Sequence, residues 1–148
     1  MSSDEKKEFD EVMFFLTRYK SKFSLEAAKS AIREFCNLTD PIRASEKALE
    51  KAKERGESLK NLSWKDQPKI DPDRQIYHYE HLWTVTDIIN ECKAVDTEHE
   101  VSEILKKLEV VWILKEENAN LKTTRRSKNP EEIEYNQEAG ILLKDIEE

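Results

Sequence analysis

The chain has 148 residues, 37% apolar and 39% charged, with a formal net charge of −7. That length suits one compact domain with its own core, and three tryptophans, four tyrosines and five phenylalanines argue against a disordered chain. The negative charge opposes general binding of nucleic acid, and with two glycines no phosphate-cradling loop can be built.

The first half reads as three helices. Phe9, Val12, Met13, Leu16, Tyr19 and Phe23 recur at three- and four-residue intervals and predict an apolar stripe on a helix from about residue 5 to 22. Ser24 can cap a second helix whose inner face is Ala28, Ala31, Ile32 and Phe35. Asp40-Pro41 supplies a cap followed by proline at the first helical position, and Gly56 sits where a C-terminal glycine stop belongs. Between them Ile42, Ser45, Leu49 and Ala52 form a thin apolar edge, so "EKALEKAKERGE" is expected to be an exposed helix with a solvated charged face.

A connector follows over 58–73, with two prolines and several turn formers. The stretch "QIYHYEHLWTV" then predicts a strand from Ile76 to about His81. "VTDIINECKAV" reads as a short helix, and "TEHE" from Thr97 is a capping box opening another. "EVVWILK" is a continuous apolar run of strand length. "EENANLKTTRRSKN" reads as a polar excursion with a basic centre, Asn129-Pro130 starts a helix that stops at Gly140, and "ILL" is a last short strand. The expected architecture is a single α+β domain over 1–148. Its helical N-terminal half of about three helices (1–57) is joined by the connector to an α+β half (74–148) with a three-stranded parallel or mixed sheet.

No apolar run approaches the ~18 residues of a membrane span, and from the acidic, polar N-terminus no signal peptide is expected. Cys36 and Cys92 are far apart and without metal-type neighbours, as buried thiols in a reducing compartment would be. A cytoplasmic protein is expected.

Candidate chemistry centres first on Glu80 and His81. Strand alternation puts His78 and Glu80 on one face and Tyr77, Tyr79 and His81 on the other, so the two histidines cannot share an ion. Glu80-His81 at a strand end resembles the opening of an HNH-type nuclease site. The resemblance implies His81 as general base toward water and Asn118 or Asn120 orienting it; the alternative metal set for a divalent ion, Mg or Mn, is Glu80 and His81 with Glu116 or Glu117. In that family a hairpin and one helix surround the metal; here two helices intervene between His81 and the asparagines, and the final metal-binding histidine is missing.

A basic loop, Lys122 to Lys128 with Arg125 and Arg126, can grip phosphate or carboxylates, or neutralise the chain's own acidic tail; it is the one place for nucleic acid. Trp64 and Trp83 are expected to be exposed interface anchors, and Trp112 to belong to the core. With serine-hydrolase and nucleotide-loop patterns excluded, the expectation is a non-enzymatic, cofactor-free acidic regulator or inhibitor that binds a protein partner. By analogy of composition, a phage or mobile-element accessory protein is one expected setting. The alternative is the HNH-like nuclease.

Overall fold

The computed structural model describes residues 3–19, 25–37, 40–83, 85–123 and 140–147. The chain runs α1 (Ser3–Tyr19), α2 (Leu25–Asn37), β1 (Arg43–Ser45), α3 (Glu46–Glu54), a 3-10 turn (Gln67–Lys69) and β2 (Tyr77–His81). It continues through α4 (Val85–Lys93), α5 (Glu98–Leu105), β3 (Val110–Leu114), α6 (Lys115–Thr123) and β4 (Leu143–Asp145). The class is α+β, with a four-stranded mixed sheet where three strands were expected.

Two compact units are formed, each from two stretches of chain: 1–39 with 83–109, and 40–82 with 110–148. The first is all helical. Helices α1 and α2 pack on each other, on α4 and, for α1, on α5. Their amphipathic faces supply Val12, Ile32, Phe35, Ile88, Ile89 and Leu105 to the interior, and burial of each such side chain contributes roughly 1.5–3 kcal/mol. Phe9 meets Phe35 with ring centroids 5.5 Å apart. The start of α5 follows its capping signal: Thr97 Oγ1 accepts from the Glu100 N–H at 3.2 Å and donates to the Glu100 carboxylate at 2.8 Å.

The second unit is the sheet with α3, α6 and the connector. Strand order is β2-β3-β1-β4. Central β3 buries all five of its side chains, as its unbroken apolar sequence requires. It runs antiparallel to β2, with Tyr79 opposite Trp112, and parallel to β1, with Ala44 opposite Trp112. β4 closes the order as an antiparallel outer strand on β1, with Ser45 opposite Leu143 and Arg43 opposite Asp145.

Three local expectations are corrected here. The helix expected from Asp40-Pro41 begins only at Glu46, and its cap is Ser45, whose Oγ accepts the Ala48 N–H at 3.0 Å. Residues 43–45 are instead drawn into the sheet, because pairing with β3 and β4 satisfies their backbone on both sides. The polar excursion after β3 is helical as far as Thr123. The last strand is Leu143–Asp145 rather than 141–143.

The end of α3 follows its glycine signal. Gly56 has φ +69°, its N–H bonds Lys53 O at 3.2 Å, and the Glu57 N–H bonds Ala52 O at 2.8 Å. That pair of bonds is a Schellman stop. The helix expected between Asn129 and Gly140 lies outside the described residues.

Candidate functional site

The stretch containing the histidines is a strand, and its side chains divide as alternation requires. His78 Nε2 lies 3.0 Å from Glu80 Oε2 on one face, with Glu80 only 2% exposed. On the other face Tyr79 packs edge-on against His81, with centroids 6.4 Å apart, and against Trp112 at 4.9 Å. The two imidazoles therefore sit on opposite sides of the sheet.

Glu117 occupies the third position of α6 and is buried. Its Oε1 accepts from the Ser45 hydroxyl at 2.5 Å and from the Leu114 N–H at 2.9 Å. The second bond is the glutamate half of a capping box, satisfying a backbone donor that the helix start would otherwise orphan. Ser45 follows Ala44, which shares the face of Trp112, so Ser45 and the carboxylate it holds belong to the face opposite His81.

Asn118 is half-buried and Asn120 exposed on α6. The residues that the HNH resemblance would gather thus do not converge. Glu80 is turned to His78, Glu117 to Ser45 and a backbone amide, and His81 to Tyr79. Among the described residues no three His, Cys, Asp or Glu side chains form a group able to hold a metal ion. The residues present do not fit the divalent ion which that resemblance implies.

Both expected aromatic anchors carry a cation of the chain itself. The Arg74 guanidinium stacks 3.8 Å above the Trp64 ring while donating to Trp64 O at 2.7 Å and Gln67 Oε1 at 2.8 Å. The Lys107 ammonium lies 4.8 Å from the Trp83 ring and bonds Glu91 at 2.8 Å. Trp64 keeps 37% of its surface exposed; Trp83 is half-buried. Trp112 is in the core as expected, its Nε1–H donating to Leu62 O at 3.2 Å. Arg125, Arg126 and Lys128 lie outside the described residues.

The connector holds a polar network that composition alone did not single out. Buried Asp71 accepts from the backbone N–H groups of Gln75, Ile76 and Tyr77 at 2.9 to 3.0 Å, and from Gln67 Nε2 at 3.0 Å. Gln67 Nε2 also donates to Tyr77 O at 2.8 Å. Side chains thereby meet both backbone groups of Tyr77 at the margin of the sheet, where β2 has no further strand beside it among the described residues. Burial raises the Asp71 carboxyl's affinity for its proton, but the four hydrogen bonds outweigh that and hold its pKa below the ordinary value. The legible signal was only the connector's prolines and turn formers.

Beside it the Tyr77 hydroxyl donates to Glu57 at 2.9 Å, and Glu57 is gripped by Arg55 through two contacts of 3.0 Å. Desolvation, then the hydrogen bond to Glu57 and its charge, push the phenol well above its usual range. Burial pushes the Cys36 thiol up to about 12, which removes it as a nucleophile at neutral pH.

The sheet's other margin was missed as a candidate. Ile42 is 70% exposed and Leu142 42% exposed, at the two ends of the β1–β4 ladder. Alternation within "ILLKD" carried the Leu142 signal: Ile141 and Leu143 point inward, so the residue between them points out.

No family model, curated protein or solved structure matches this chain. No described helix is long and apolar enough to cross a membrane.

Proposed function

We propose that this protein works by binding another macromolecule, a protein, as a small acidic regulator or inhibitor without catalysis of its own. One observation carries the reading: Ile42 and Leu142 hold exposed apolar side chains at the two ends of the β1–β4 ladder, with exposed Lys144 and Asp145 on the strand between them. Exposed apolar side chains set among charged ones are anchor points of the kind protein interfaces use. The engagement of Glu80, Glu117 and Tyr77 within the fold adds support, because these groups hold structure together. The test is affinity capture from a native lysate with wild type and Ile42→Ser/Leu142→Ser side by side. A partner retained by wild type and lost by the double variant supports the reading; equal capture by both sinks it.

A second reading, the HNH-like nuclease, has one specific observation in its favour. β2 and β3 are antiparallel neighbours, α6 follows β3 directly, and α6 packs on both strands. The two helices that separate Glu80-His81 from the asparagines in sequence are therefore an insertion between adjacent strands. Incubation of plasmid DNA with magnesium or manganese decides it: nicking abolished by His81→Ala establishes this reading, and intact plasmid removes it.

A further inference from the structure

Among the described residues, the backbone of β4 is paired on one side only. Ile146 N–H bonds Ile42 O at 2.9 Å and Glu46 N–H bonds Leu142 O at 2.8 Å. In an antiparallel pair hydrogen-bonded positions alternate. With Arg43 opposite Asp145 and Ser45 opposite Leu143, residues 142, 144 and 146 therefore turn their backbone groups toward β1, and Leu143 and Asp145 turn theirs away from it. β4 is last in the strand order, and among the described residues no hydrogen bond meets those outward N–H and C=O groups. Unlike the margin at Tyr77, this one has no side-chain substitute for a strand among the described residues.

A groove of about 700 Å³ lies along it, lined by Arg43, Leu49, Leu143, Lys144, Asp145 and Glu147. Alternation puts Leu143 and Asp145 on one side of the strand, so the groove offers an apolar position followed by acidic ones. Lys144 is tied to Glu46 at 3.6 Å, and Arg43 has contacts within the chain. Asp145 and Glu147 are the groove's acidic groups without an ion-pair partner among the described residues.

We infer that β4 receives an extended segment of the partner protein as a fifth strand, with an apolar side chain against Leu143 and Leu49 and basic side chains opposite Asp145 and Glu147. Main-chain hydrogen bonds to Leu143 and Asp145 supply the affinity, and the apolar-then-acidic order of the groove selects the sequence. A net charge of −7 draws a basic segment in. This inference rests on the protein-binding reading and names its surface and the chemistry of the partner.

The test uses the full chain and three capped six-residue peptides: alternating Val and Lys, alternating Val and Glu, and the Val-Lys peptide N-methylated at every second amide. Backbone amide NMR follows each titration. The Val-Lys peptide is expected to shift the Leu143 and Asp145 resonances saturably. The Val-Glu and N-methylated peptides should bind at least about tenfold more weakly. Asp145→Pro removes one outward N–H and no bond to β1, so it should abolish the shift at Leu143 while the remaining spectrum stays that of the folded protein. Asp145→Lys should reverse the peptide preference.

Equal binding of all three peptides, shifts confined to other regions, or concentration-dependent shifts at Leu143 and Asp145 without peptide would each overturn the proposal, the last because a second copy then fills the edge. Should Asp145→Pro and Asp145→Lys capture the native partner as wild type does while Ile42→Ser/Leu142→Ser does not, strand addition fails and the protein-binding reading survives.

Discussion

The Asp71 carboxylate accepts the Tyr77 backbone N–H at 3.0 Å, so an acidic side chain from the connector stands where a neighbouring strand would offer a carbonyl. The same carboxylate takes two further backbone donors and the Gln67 amide. Three successive backbone amides at the entry to β2 are thus held by one residue.

Replacing Asp71 with Ala leaves three part-buried or buried N–H groups without an acceptor, and a loss of about 3 kcal/mol is expected at neutral pH. Urea unfolding at pH 7 measures it. A drop under about 0.5 kcal/mol, the range of ordinary surface substitutions, would mean that water takes over the carboxylate's role.

Acid should act through the same group. The Asp71 pKa is lower folded than unfolded, so the unfolded chain takes up the proton first and protonation favours unfolding. The contribution is complete above the unfolded value of about 4 and fades as pH falls through the folded one. Urea melts from pH 6 to 2 should show wild type losing more stability than Asp71→Asn, whose side chain does not titrate; parallel curves would show that Asp71 does not drive the acid limb.

Alkali should act on Tyr77 with the opposite sense. Its folded pKa is raised, so the unfolded phenol ionises first, and stability present below about pH 10 is lost as pH climbs above it. Tyr77→Phe is expected to cost about 1 kcal/mol at pH 7, the net worth of a typical hydrogen bond. The gap to wild type should narrow between pH 9 and pH 11 in chemical melts, and a gap that widens there would contradict the assigned sign.

Ser45 and Glu117 should be energetically coupled. Ser45 caps α3 and donates to Glu117, and Glu117 also holds the amide that opens α6. Ser45→Ala and Glu117→Ala are each expected to destabilise by roughly 1–3 kcal/mol, and the double variant by less than their sum, with about 1 kcal/mol of coupling. Strict additivity in the four melts would argue that the two groups act independently.

Gly56 carries the helix stop at φ +69°, with open space where a Cβ would go. Gly56→Ala therefore meets no clash, and its expected cost of about 1 kcal/mol is purely conformational. Thermal unfolding beside Gly56→Asn separates the two ideas, since Asn tolerates that region and should cost less.

Legibility followed the range of the forces involved. β3 was readable because five consecutive apolar residues need burial on both faces, and α5 because a capping box completes its bonds within four residues. The Gly56 stop and the opposed histidines of β2 were readable because glycine's freedom and strand alternation are properties of the chain itself. The class of fold follows from such short-range rules.

Other features needed a partner distant in sequence. Residues 43–45 look like the start of a helix until β3 and β4 flank them, since a three-residue strand has no stability outside its sheet. The polar stretch after β3 has a weak helical pattern, and its first turn is organised by Glu117 bonding Ser45, 72 residues away. Glu80, a metal ligand only in the alternative nuclease reading, is turned to His78, and Trp64 lies beneath Arg74, because a buried carboxylate needs a donor and an exposed ring attracts a nearby cation. The open edge of β4 is decided only by strand order. Sequence set which residues must be buried, while tertiary pairing chose which polar groups would satisfy one another and which would be left facing outward.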